Sequence, residues 1–148
     1  MTDKKIVGVT ASPQGLSQRQ WQVGQHLLSG VVEMHHGDCT GGDYDLHVIT
    51  RHVSPEAKIV IHPPSDDKKR AWCLGDVLYT PDNYRERNDC IVWSSTDLLA
   101  FPSSMVEIMR SGTWMTVRLA RKARAKGHIV RTFIVWPDGR IETDTAVK

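Results

Sequence analysis

The chain is poor in the features that usually disclose a function. Its three cysteines, Cys39, Cys73 and Cys90, are scattered, odd in number and form no CxxC pair. A zinc knuckle or a disulfide framework therefore has no support, and a reducing compartment fits. Aromatic residues are only 7% of the chain, and no apolar run approaches the ~20 residues needed to cross a bilayer. The opening "MTDKKIVGVT" lacks the long apolar core and small-residue cleavage site of a signal peptide. Charge of one sign is also missing. Nineteen Lys and Arg stand against 17 Asp and Glu, for a net charge of +2, too mild for the dense basic face of a typical DNA binder. Neither GxxxxGK[ST] nor GxGxxG occurs, so the familiar phosphate-loop motifs are excluded. The expectation is a cytoplasmic, globular chain with no membrane partner, no metal and no resident cofactor.

What is present is an alternation. At 148 residues with 40% hydrophobic content, one domain can bury a full core. Four short apolar runs read as buried strands, at 5–10, 57–64, 97–102 and 128–136, with a weaker fifth at 32–39. Between them lie helical patterns. "SQRQWQVGQHLLSG" opens on Ser17 with Gln20 three residues later, a capping-box spacing, and closes at Gly30. Leu46, Ile49 and Val53 repeat at helical spacing, and in the third pattern Thr80 reads as N-cap with Pro81 at the first helical position. A last helix follows Gly112, with Met115, Leu119 and Ala123 stacked along it. Strand and helix alternating five times predict an α/β fold: a single Rossmann-like three-layer domain, with a mostly parallel sheet of five or slightly more strands and helices on both faces. The domain spans 1–140, and 141–148 is a short tail after a D-G turn, either an extra strand or frayed. The irregular stretch 65–80 is long enough to suggest a functional or mobile loop.

In such a sheet ligands bind beyond the carboxyl ends of the strands, where strand order reverses. Thr10 and Ser12 follow the first strand. Gly37, Asp38, Gly41, Gly42 and Asp43 follow the second, and Ser111, Gly112 and Thr113 precede the last helix. Glycines before a helix let backbone N–H groups and the positive end of the helix dipole approach an anion. Two such cradles, 37–43 and 111–113, are therefore candidates. Arg87 and Asn88 add a bidentate phosphate donor and a carboxamide. Asp38 and Asp43 can bond ribose hydroxyls, or Asp43 can cap the second helix. Trp114 is a stacking platform, a core residue or a subunit contact. Of the histidines, His35 and His36 are adjacent on a strand and point to opposite faces, so they do not share an ion.

Taken together, these blocks resemble the SLOG superfamily, named for its Smf/DprA and LOG members, and in particular its small stand-alone bacterial and phage forms. The blocks are "HHGDCTGGD" at His35–Asp43, with Gly42 in place of the usual alanine, and "IHPP" at Ile61–Pro64. "YRERNDCIV" at Tyr84–Val92 and "SGTWMTVRLARK" at Ser111–Lys122 follow, the latter with Ser111 at the first glycine, and then "PDG" at Pro137–Gly139. The resemblance implies a Rossmann-like domain that binds a nucleotide or nucleotide-derived phosphate ligand, as a sensor, carrier or sequestering protein and as a homo-oligomer. In the LOG branch a glutamate and an arginine cleave the N-glycosidic bond of a nucleoside 5′-monophosphate. Here that glutamate position falls on Thr116, whose hydroxyl cannot take the role of a carboxylate. Binding without turnover is therefore the leading expectation. A LOG-like phosphoribohydrolase with another carboxylate, Asp38 being the weak candidate, is the alternative. DprA-like single-stranded DNA binding ranks third, because no aromatics are interleaved with the basic last helix, and nucleic acid is not the expected partner.

Overall fold

A computed structural model describes residues 5–147. The chain runs β1 (Ile6–Ala11), α1 (Gln18–Leu27), β2 (Glu33–His36), α2 (Gly42–Val53), β3 (Lys58–Ile61), β4 (Val77–Leu78), α3 (Tyr84–Ser94), β5 (Asp97–Phe101), α4 (Gly112–Ala125), β6 (Arg131–Val135) and β7 (Ile141–Asp144). The seven strands form one sheet in the order β4-β3-β2-β1-β5-β6-β7. Every pairing is parallel except β6 with β7. The three-layer α/β expectation holds. The two strands beyond the expected five are the two-residue β4 and β7, the latter built from the tail.

Both faces of the sheet are covered. Val7, Val9, Met34, Leu46, Ile49 and Phe101 form the core on the α1–α2 side. Ile91, Val92, Leu98, Leu119 and Ala120 form it on the α3–α4 side. This explains why β5, "DLLAF", is buried at every position and shows no alternation: a strand sandwiched between helices has no wet face. Gly8 is required where α3 crosses β1, because a Cβ there would stand 2.3 Å from Ser95 Oγ and 2.9 Å from Ile91 Cγ2.

Local signals set the helix starts. Ser17 Oγ accepts from the Gln20 amide at 3.1 Å while Gln20 Oε1 accepts from the Ser17 amide at 3.0 Å, the reciprocal pair its spacing announced. The buried Gln20 also donates to the carbonyls of Pro102 and Val135 at 2.8 and 2.9 Å, pinning α1 to the β5 and β6 ends. The start of α3 corrects the sequence expectation. Asn83, not Thr80, is the N-cap, accepting from the Glu86 amide at 2.9 Å. Residues 79–82 are instead drawn into the sheet edge, with Tyr79 N–H donating to Ile61 O and Asp82 N–H to Pro63 O.

The order of the strands reverses between β1 and β5. Ligands of open α/β sheets sit in the crevice at such a point, here between the β1–α1, β2–α2 and β5–α4 loops.

Candidate functional site

At that crevice lies a cavity of about 450 Å³. Its walls come from the end of β1, the β2–α2 loop, the first turns of α3 and the loop that enters α4. The structure brings together Thr10, Gly37, Asp43, Arg87, Asn88, Ser111 and Gly112 of the expected residues. Ser12, Asp38, Gly41, Gly42 and Thr113 lie outside its lining.

The residues outside it have other work. Ser12 caps its own turn, accepting from the Gln14 amide at 3.1 Å. Asp38 is fully buried in a left-handed conformation, φ 56, a geometry Asp tolerates better than most residues. Its carboxylate accepts from Arg70 Nε at 3.0 Å and from the Cys73 amide at 2.9 Å, so it is a structural tie facing away from the cavity. Gly41 and Gly42 let α2 approach the β1–α1 loop. A Cβ on Gly41, φ +94, would stand 2.1 Å from Pro13 O, and one on Gly42 would stand 2.3 Å from Ala11 Cβ. The Gly42 amide donates to Ser12 O at 2.8 Å.

Asp43 does not cap α2. Gly41 holds that position with no side-chain cap, and Asp43 lies in the first turn with Oδ2 accepting from the Cys39 amide at 3.2 Å. The carboxylate thus sits in the amide-lined turn where a ligand's phosphate was expected. Burial pushes its pKa up to about 6, opposed by the Arg87 charge. Arg87 is 6% exposed. It donates through Nη1 to the carbonyls of Gly37 and His62, lies 5.1 Å above the Tyr84 ring, and among the described residues has no partner for Nε.

The second cradle is different. Ser111 Oγ accepts from the Trp114 amide at 3.3 Å and so caps α4. Among the described residues the Gly112 and Thr113 amides have no hydrogen-bond partner. A Cβ on Gly112 would meet nothing within 4 Å. These two unpaired first-turn amides, of which Gly112 lies at the cavity wall, carry the positive end of the α4 dipole. Thr116 is fully buried, donating to Gly112 O at 2.9 Å and accepting from Thr10 Oγ1 at 3.3 Å, so no acid stands at that point of the helix. Trp114 is 3% exposed and packs on Trp136 at 5.7 Å between centroids, which makes it a core aromatic.

Two contributors were not singled out in the sequence. Lys69 and Arg110 line the cavity from exposed positions, and the Cys39 thiol lies 3.7 Å from Arg87 Nη2. Lys69 belongs to the long irregular stretch flagged as functional, and Arg110 directly precedes Ser111. Burial raises the Cys39 pKa, which disfavours its thiolate and a nucleophilic role. Asp43 is the one carboxylate among the lining residues, against the cations Lys69, Arg87 and Arg110.

The histidines lie on opposite faces of β2, as their adjacency requires. His35 Nε2 donates to Glu33 Oε2 at 2.7 Å, and its Nδ1 pairs with His62 Nε2 at 2.7 Å. On the other face His36, His47 and Cys73 have ligating atoms within 4.8 Å of one another. Hydrogen bonds already assign that group. The Asp38 amide donates to His36 Nδ1 at 2.9 Å, so Nε2 carries the ring proton and donates to His47 Nδ1 at 2.9 Å. A metal on Nε2 would need the opposite tautomer, turning Nδ1–H against the Asp38 N–H. Burial lowers the pKa of both rings, in keeping with a neutral pair.

Comparison with known proteins adds a fold likeness. The solved molybdenum cofactor binding protein from the phototrophic bacterium Rippkaea orientalis superposes with a TM-score of 0.62 at 20% identity, over 90% of this chain and 78% of that chain. The likeness is one of fold. The sequence matches no family model and no curated protein at a significant level. Among the described residues no helix is long and apolar enough to cross a membrane.

Proposed function

We propose that the chain binds a nucleotide or nucleotide-derived phosphate ligand in the 450 Å³ cavity, holding it without turnover as a sensor, carrier or sequestering protein of the SLOG type. The observation that carries this reading is the charge of the wall: Lys69, Arg87 and Arg110 against Asp43 alone, beside the unpaired Gly112 and Thr113 amides. Such a wall favours an anion, and amides at a helix start suit a phosphate. The fold shared with a protein named for binding the molybdenum cofactor supports a small-molecule cavity and places that cofactor among the ligands to try.

A second reading has one observation in its favour. Asp43 combines burial in the cavity with a pKa of about 6, suited to general acid–base work, so a LOG-like phosphoribohydrolase would act through Asp43 rather than Asp38. Single-stranded DNA binding is less supported. Arg121 and Arg124 of the basic helix are engaged by Asp144 at 2.9 and 2.7 Å, and Arg121 also by Glu107, which leaves little free charge for a phosphate backbone.

Thermal shift and calorimetry with AMP, IMP, ribose 5-phosphate and the molybdenum cofactor test the proposal, with chromatography for released base. Binding that weakens about tenfold in Arg110→Ala and Lys69→Ala, with no base released, is expected. A tenfold loss matches removal of one charged contact. Base release abolished by Asp43→Asn establishes the hydrolase reading, and no binding of any of the four ligands overturns both.

A further inference from the structure

Asn88 stands apart from the charged groups of the cavity. It lies on α3, is 5% exposed and lines the wall. Among the described residues its side chain has one partner: Nδ2 donates to Met115 Sδ at 3.6 Å, a weak acceptor. Its carboxamide oxygen has none. The neighbouring lining groups Ile91, one turn further along α3, and Met115 are apolar. A carboxamide in so buried a residue normally has strong partners, and this one, on the cavity wall, has only the thioether. The anionic part of a ligand has better positions at Lys69, Arg110 and the α4 amides, while Arg87 already donates to the Gly37 and His62 carbonyls. Asn88 is therefore left for a neutral part of the ligand.

We infer that Asn88 is the specificity-determining residue of the cavity and that it selects a planar heterocycle showing a hydrogen-bond donor beside an acceptor on one edge. A carboxamide carries the complementary pair, an acceptor next to a donor, and Asn meets adenine in this bidentate way elsewhere. The amidine edge of adenine and the lactam edge of hypoxanthine both satisfy it, since the carboxamide turned over presents the reverse order. Apolar Ile91 and Met115 suit the faces of the ring. This rests on the cavity being the ligand site, as proposed above.

Calorimetry on the intact chain with AMP, IMP, purine riboside 5′-monophosphate and ribose 5-phosphate tests it. AMP or IMP is expected to bind about tenfold tighter than purine riboside 5′-monophosphate, which lacks the exocyclic group, in line with loss of one buried hydrogen bond. Whichever nucleotide wins identifies the edge. Asn88→Ala is expected to erase that advantage and leave ribose 5-phosphate affinity unchanged. Should that variant fail to fold, the near-isosteric Asn88→Asp, which removes the Nδ2 donor, is expected to lose the advantage in the same way and decides in its place. Equal binding of all three nucleotides, or an advantage that persists in Asn88→Ala, overturns the role of Asn88 while leaving the site in place. Failure of all four, ribose 5-phosphate included, removes the site itself and this inference with it.

Discussion

Two glycine loops open two helices at the same edge of the sheet, and they do opposite things. In the 37–43 loop most of the paired amides are used internally: Asp38 donates to His36 Nδ1, Cys39 to Asp43, Thr40 to Lys69 O and Gly42 to Ser12 O. Gly41 and Gly42 are needed because Ala11–Pro13 comes too close for a Cβ, and a Cβ on Gly37 would run into the Arg87 guanidinium. In the 111–113 loop the Gly112 and Thr113 amides are unpaired and the space beside Gly112 is open. A glycine-rich turn before a helix signals a close approach, but either a ligand or another part of the chain can be what approaches. Only the partner of each amide tells the two apart.

Substitutions at the two loops should diverge accordingly. Gly41→Ala is expected to cost about 2–5 kcal/mol in urea unfolding, from left-handed strain and overpacking together, because its Cβ meets the Pro13 carbonyl. A loss under about 1 kcal/mol would show that the β1–α1 loop yields and that the packing account is wrong. Next comes the buried carboxylate. Asp43 holds its proton more tightly in the folded chain, at about 6, than in the unfolded one, at the ordinary 3.8, so its charge destabilises the fold fully above pH 6. That penalty fades as pH falls from 6 towards 3.8 and is absent below. Over two pH units it amounts to about 3 kcal/mol at pH 7. Asp43→Asn should recover part of this at pH 7 and flatten the pH–stability profile between 4 and 6; an unchanged slope there would assign the titration to another group. On the other loop, Ser111→Ala should cost about 1 kcal/mol, the usual loss of an N-cap, read as a lower melting temperature. Gly112→Ala should be smallest, within about 0.5 kcal/mol, and a large loss would mean that the space beside Gly112 is not open.

Much of the frame was legible in advance because its signals are local. The Ser17–Gln20 capping box lies within four residues, and the apolar runs of β1, β3, β5 and β6 state their own burial. The α3 start was misread because Thr80 and Pro81 carry the local signature, while the sheet edge claims residues 79–82 through bonds to Ile61 and Pro63. β4 has two residues and no periodicity to read. Of the residues that line the cavity, Arg87, Asn88, Ser111 and Gly112 had been expected there from their position relative to strand ends and from the SLOG resemblance. The distinct fates of Asp38 and Asp43 were not, since they depend on Arg70 and Arg87, 32 and 44 positions further along the chain. Lys69 and Arg110 look like ordinary surface charges until the fold carries them to one opening.

The Arg121 side chain ties the cavity to the far edge of the sheet. It holds Glu107, in the loop that carries Arg110, and Asp144, in β7, while Arg118 grips the same loop through the carbonyls of Ile108 and Met109. Among the described residues, no backbone–backbone hydrogen bond outside the regular elements involves 103–110. One wall of the cavity is thus fastened partly by a strand made after every other strand of the sheet. A change at Asp144 would therefore reach the cavity wall through Arg121, although β7 contributes no residue to the lining.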